Sequence, residues 1–177
     1  MSELTHNFKP IILLGILILI LGACSVGPKE NKPSPYGIDS TQIDQTKLSI
    51  KYSSPGVKKR KIWGDLVPYG NMWRTGANEA TVFSCDKDIK LAGNVLPSGK
   101  YSIFTIPDSH KWTIIFNSEW IQWGAYNYDE NQDALRLEIE PKTVKDFQER
   151  MKFSFESKKL KFHWEYLQFE IDIETLN

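Results

Sequence analysis

One stretch concentrates side chains able to grip a ligand: Trp73-Arg74-Thr75-Gly76-Ala77-Asn78-Glu79. A planar guanidinium at Arg74 with five donors stands beside an indole (Trp73), an amide (Asn78) and a bidentate acceptor (Glu79). That set suits a carboxylate, a phosphate or a sugar. The same residues also suit a buried arginine pinning a long loop to Glu79, Asp65 or Asp129, and this structural role is the preferred expectation, since long polar loops need internal hydrogen bonds. A second concentration, Trp120, Trp123, Tyr126 and Tyr128, occupies a segment bearing Gly and Asn without clean alternation. Such rings stack on sugars or anchor partner proteins when exposed, and plug the space between two sheets when buried; the buried reading is preferred.

Other chemistries find little support. Asp129, Glu130 and Asp133 do not make up the six or more oxygen ligands of a calcium loop, so no metal is expected. His110 and His163 show no two-histidine metal spacing, and no nucleophile elbow, phosphate loop or dinucleotide fingerprint occurs, so no cofactor is expected. Asp65, Glu79 and Asp129 remain as acids and bases for an envelope hydrolase, the alternative function. A purely structural envelope component is a third reading. Lys and Arg number 22, as do Asp and Glu, so nothing recommends a nucleic-acid partner.

The elements that must position these side chains are strands. Leu48, Ile50 and Tyr52 alternate up to Ser53-Ser54-Pro55-Gly56. Gly93-Asn94 marks a hairpin, Leu96-Pro97-Ser98-Gly99 a second turn, and Tyr101 to Ile106 and Trp112 to Phe116 continue in the same style. Leu135, Leu137 and Ile139 alternate with charged residues, and Phe153 and Phe155 repeat the pattern. Leu160-Phe162-Trp164 and Leu167-Phe169-Ile171-Ile173 are out of phase by one residue, which predicts a β-bulge near Glu165-Tyr166. Val144 to Arg150 is the one short helix expected. The expected fold is all-β: an antiparallel β-sandwich or partly open barrel of about eight or nine strands.

The N-terminus speaks of location. After Lys9, the thirteen residues Ile11 to Ala23 are all Ile, Leu, Gly or Ala, too short for a bilayer span and matched to a secretory signal. Its end, Leu21-Gly22-Ala23-Cys24, resembles the lipobox of bacterial lipoproteins, which implies that Cys24 becomes the acylated first residue of the mature chain. Residues 1–23 are then a signal peptide, residues 24–46 a lipid-anchored flexible tether rich in proline, and residues 47–177 a single β-rich domain. The expected partners are a lipid bilayer, reached through palmitate-type chains on Cys24, and an envelope protein or glycan. Ser25 resembles the residues that permit outer-membrane transport after a lipobox, which implies the outer membrane, facing the periplasm or the cell surface. With Cys24 acylated, Cys85 has no disulfide partner and reads as a buried thiol.

The run Val67-Pro68-Tyr69-Gly70-Asn71-Met72-Trp73-Arg74-Thr75-Gly76-Ala77-Asn78-Glu79-Ala80-Thr81, with Leu96 to Pro107 and Trp123 to Asp129, resembles the bacterial family DUF2911, a domain of unknown function. The resemblance extends over roughly Leu48 to Ile173. It implies a secreted or lipid-anchored envelope protein with a β-rich domain, and supplies no catalytic residue. Binding of an envelope ligand or partner through Trp73, Arg74, Asn78, Glu79, Trp123 and Tyr126, without catalysis, is the leading expectation.

Overall fold

Among the described residues, ten strands make two antiparallel sheets. The computed structural model describes residues 33–176; the expected signal peptide, Cys24 and the first part of the expected tether lie outside the described residues. The six-stranded sheet has the order β1 (Tyr36–Ile43), β2 (Thr46–Ser53), β3 (Thr81–Cys85), β6 (Gly99–Ile106), β7 (Trp112–Asn117), β8 (Asp133–Ile139). The four-stranded sheet runs β5 (Asn94–Leu96), β4 (Ile89–Leu91), β10 (Lys159–Thr175), β9 (Lys142–Glu156). The arrangement is a β-sandwich, as its alternating patterns require.

Alternation decides which faces meet. Leu48, Ile50, Phe83, Tyr101, Ile103, Ile114 and Phe116 of the first sheet face Phe153, Phe162, Trp164, Phe169 and Ile171 of the second, and all are buried. The aromatic rings interlock: Trp63 lies 4.6 Å from Trp112 and 5.7 Å from Trp164 between centroids, and Phe162 stacks on Phe169 at 4.8 Å. The phase slip in β10 is real. Glu165 has φ 56°, the register shifts on both sides of it, and Trp164 and Leu167 both reach the core.

Two expectations are corrected. Residues 36–46, within the segment expected to be a flexible tether, include all of β1, which pairs with β2 along its whole length from Tyr36–Ser53 to Ile43–Thr46. A polar edge strand needs ladder bonds more than an apolar face, and the prolines that suggested a tether stop at Pro35. Gly37 is needed where it stands, since a Cβ there would come within 2.4 Å of the Tyr52 ring.

The helix expected at Val144–Arg150 is strand: it lies inside β9. Between the pairs Lys152–His163 and Gln148–Glu165, β9 spends four residues against two of β10, and five against two up to Thr143–Leu167. These surplus residues break the period of two, so Val144, Phe147, Gln148 and Met151 fall at helix-like spacing.

Cys85 is buried, with Sγ 3.3 Å from the Pro97 carbonyl. Burial pushes its thiol up to about 11. The unfolded thiol ionises near pH 9 and the folded one only near pH 11, so this residue's contribution to stability is lost as pH rises across that window. In a Cys24→Ser chain, where Cys85 is the sole thiol, disulfide-exchange labelling at pH 8 is expected to be at least roughly a hundredfold slower native than in urea. Equal rates in the two states would contradict the burial.

Candidate functional site

The tryptophan-arginine loop is fastened to β6 by its backbone. Trp73 and Thr105 exchange N–H···O bonds of 2.8 Å in each direction. This turns the Trp73 ring inward, where it stacks on Trp164 at 5.9 Å, its Nε1 donating to the Gly76 carbonyl at 3.1 Å. Trp73 is thus partly buried and packs against the core. Thr75, fully buried with φ 54°, shares a 2.8 Å hydroxyl bond with Thr105, and its carbonyl accepts from the Thr81 hydroxyl at 2.7 Å. A β-branched residue in the left-handed region is costly, so these hydroxyls fix the turn.

Arg74 is not the staple. It makes no ion pair among the described residues, and its Nε is shut off from water without a hydrogen-bond partner. Burial pushes its guanidinium down from its usual range, and the Tyr126 hydroxyl acts in the opposite sense. The expected pinning to Glu79, Asp65 or Asp129 does not occur. Asp65 is exposed in the turn between Ile62 and Val67, and Asp129 accepts from the backbone and side chain of Asn131.

The second loop, between β7 and β8, folds back over the outer face of the six-stranded sheet. There Phe104 and Ile115, pointing away from the main core, form a small second core with Ala80, covered by Met72, Ala125 and Tyr128. Polar bonds lock the loop's base. The Asp133 carboxylate accepts from Tyr128 Oη at 2.6 Å, Arg136 Nε at 2.7 Å and Asn117 Nδ2 at 2.8 Å. Asn117 Nδ2 also reaches the Asp129 carbonyl at 2.8 Å, and Ser102 Oγ the Glu119 carbonyl at 2.8 Å. Burial, reinforced by the Asp133 carboxylate, pushes the Tyr128 phenol up.

From this anchored base the loop presents its aromatic tip to solvent. Trp123 is 60% exposed and Tyr126 87% exposed, so neither fills the sandwich, and the preferred core reading of these rings is corrected. Gly124, at φ 67°, occupies the left-handed region that favours glycine, and a Cβ there would push aside the exposed Tyr126 ring 2.7 Å away.

The two loops meet at one place. Glu79 and Trp123 form an antiparallel bridge, flanked by bonds from Ala80 N to the Gln122 carbonyl (3.0 Å) and from Gly124 N to the Asn78 carbonyl (3.1 Å). Directly opposed residues project to the same side with Cβ atoms about 5 Å apart. The Glu79 carboxylate and Trp123 indole therefore share one hollow of about 290 Å³, with Asn78, Tyr36, Pro33 and Ser34 as its other walls. Tyr36 Oη donates to Glu79 Oε1 at 2.9 Å, whereas Glu79 Oε2 is shut off from water and has no donor. An unpaired carboxylate oxygen out of water costs about 1–3 kcal/mol or more.

Of the residues singled out in the sequence, the fold unites Asn78, Glu79 and Trp123. Tyr126 lies beside them on the same loop, while Trp73 and Arg74 do not line the hollow. Tyr36 was missed because it follows three prolines; the signal for it was the weak alternation Tyr36-Ile38-Ser40. Beyond the hollow, the outer face of β1, β2, β3 and β6 forms a trough of about 750 Å³ with Ser40, Ser49, Ser84 and Lys100 in one cross-strand row. Lys100 Nζ sits 4.5 Å from the Trp120 ring. Among the described residues no three His, Cys, Asp or Glu side chains are grouped to hold a metal ion.

Fold and site together define a two-sheet antiparallel β-sandwich with a loop-borne hollow of carboxylate, amide and aromatic groups. Residues 34–173 match the family described as Protein of unknown function (DUF2911), and the chain belongs to that family. No curated protein and no solved structure matches it.

Proposed function

We propose that this is a lipid-anchored protein of the bacterial cell envelope, held through acylated Cys24 at the outer membrane. In this reading it binds an envelope ligand, glycan or partner without catalysis. The observation that carries the binding half is the Glu79–Trp123 bridge, which sets an exposed indole beside a carboxylate oxygen with no donor. Exposed rings beside a few convergent polar groups are what small-ligand sites are made of. The anchoring half is supported by Leu21-Gly22-Ala23-Cys24 after an apolar run.

The test uses the full chain expressed in a bacterial host. Metabolic labelling with a clickable fatty acid is expected to mark the wild-type protein, and Cys24→Ser to abolish the label and release the protein from membranes. Cross-linking followed by mass spectrometry is then expected to find one envelope component attached near Trp123, with at least tenfold less captured by Trp123→Ala. Unlabelled wild-type protein would end the lipoprotein reading. Equal capture by the variant would end the assignment of the hollow.

A further inference from the structure

We infer that the loop joining β2 to β3 docks on the surface of an anionic lipid bilayer, with Lys58, Lys59 and Lys61 at the headgroup phosphates and the side chains of Leu66 and Tyr69 entering the headgroup layer. Lys58-Lys59-Arg60-Lys61 is a run of four exposed cations in a chain whose basic and acidic residues are equal in number. Among the described residues Lys58, Lys59 and Lys61 form no ion pair, whereas Lys111, Lys158, Lys159 and Lys161 each hold a carboxylate. Glu149 and Asp65, the acids beside the run, leave it unpaired: Glu149 Oε1 accepts from the Lys58 backbone N–H at 3.0 Å, and Asp65 makes no ion pair. Concentrated, unpaired positive charge on one loop is the complement of a surface of phosphates.

The run is held as a fixed turn. Lys58 and Lys59, at φ 48° and 58°, occupy the left-handed region in succession, which is costly for residues with a Cβ. Arg60 secures that conformation by donating from Nη2 to the Gly56 carbonyl at 2.6 Å and from Nε to the Val57 carbonyl at 3.2 Å. The backbone of β9 braces the other side, since Val57 N donates to the Glu149 carbonyl at 2.8 Å. One cation of the four thus builds the turn, and the other three are displayed by it.

The residues that follow favour a bilayer over a dissolved polyanion. Ile62, Trp63 and Val67 are buried and root the next turn in the core. Leu66 N donates to the Lys61 carbonyl at 3.3 Å, and Val67 N to the Ile62 carbonyl at 2.9 Å, so Leu66 stands beside Lys61. Leu66 is 43% exposed, and Tyr69, whose ring lies against Gly64, is 44% exposed. A soluble polyanion calls for charge alone. Cations beside an exposed leucine and tyrosine match a membrane interface, where phosphates overlie apolar carbon. The inference stands on these side chains, independently of the anchor and of the Glu79–Trp123 hollow.

The experiment mixes the full-length chain with vesicles of phosphatidylglycerol or of phosphatidylcholine and follows amide hydrogen exchange. Residues 58–66 are expected to exchange at least about fivefold more slowly with phosphatidylglycerol, and to lose that protection in about 1 M salt. Lys58→Gln, Lys59→Gln and Lys61→Gln combined, which spare Arg60, are expected to keep the wild-type urea midpoint and erase the protection. Leu66→Ser is expected to reduce it at least twofold. The N-terminus is common to every arm, so these differences read the loop whatever else holds the chain on a vesicle. Equal exchange with both vesicle types, or protection that survives the triple substitution, would overturn the inference. Protection by inorganic polyphosphate equal to that by phosphatidylglycerol would overturn the bilayer as the partner.

Discussion

Replacing Trp164 with alanine is expected to remove about 3–5 kcal/mol of folding free energy, the usual result of deleting a large buried aromatic side chain. Trp164 is 1% exposed, stacks on Trp73 at 5.9 Å and meets Trp63 at 5.7 Å. Its loss empties the point where the tryptophan-arginine loop, the Ile62–Val67 turn and β10 converge. Domains of this size carry about 5–15 kcal/mol in all, so the variant is expected to sit close to its threshold. Urea unfolding would show a lower midpoint at unchanged slope.

A finer comparison tests the packing itself. Trp112 Nε1 donates to the Asp108 carbonyl at 2.9 Å, whereas Trp164 Nε1 is buried with no partner. Trp112→Phe therefore loses a hydrogen bond along with volume, while Trp164→Phe loses volume and sheds an unpaired N–H. The first is expected to cost about 0.5–1.5 kcal/mol more than the second. The reverse order would mean that the Trp164 indole nitrogen is satisfied in solution.

The strands around this core were legible because they obey a simple period. Leu48-Ile50-Tyr52 alternates on one buried face, and the two halves of β10 betrayed even their bulge, since a slip of one residue inverts a strand unless something absorbs it. Legibility ended where the period did. In β9 surplus residues imitated a helix, and in β1 polar residues next to prolines imitated a tether. The site was half legible for a related reason: Asn78, Glu79 and Trp123 are unusual in type, so composition found them. Their meeting depends on a bridge between loops distant in sequence, which no local pattern encodes. Arg74 drew attention as the strongest charge in its loop, yet the turn is held by Thr75, Thr81 and Thr105, whose hydroxyls leave no periodic trace.

Asp133→Ala is expected to cost about 2–4 kcal/mol, summed from hydrogen bonds to a charged acceptor and donors left unpaired. Three donors converge on this carboxylate, from Tyr128, Arg136 and Asn117, and its side chain is only 8% exposed. Asp133→Asn should be nearly as harmful, because an amide offers one oxygen where both carboxylate oxygens are used, and its NH₂ must then face a donor. By contrast, the Lys111–Glu138 pair is exposed on both sides and screened by water, so its removal should leave the urea midpoint nearly unchanged. The consequence for function follows from position. The network ties the base of the loop whose tip carries Trp123 and Tyr126, so its loss is expected to accelerate amide exchange through residues 118–132 before the sandwich unfolds. If Asp133→Asn kept the wild-type urea midpoint and loop protection, the aromatic tip would owe its position to the Phe104–Tyr128 contact at 5.1 Å and to the Glu79–Trp123 bridge. A destabilised loop on an intact sandwich would instead show that the hollow is held from both ends, by the bridge at the tip and the buried carboxylate at the base.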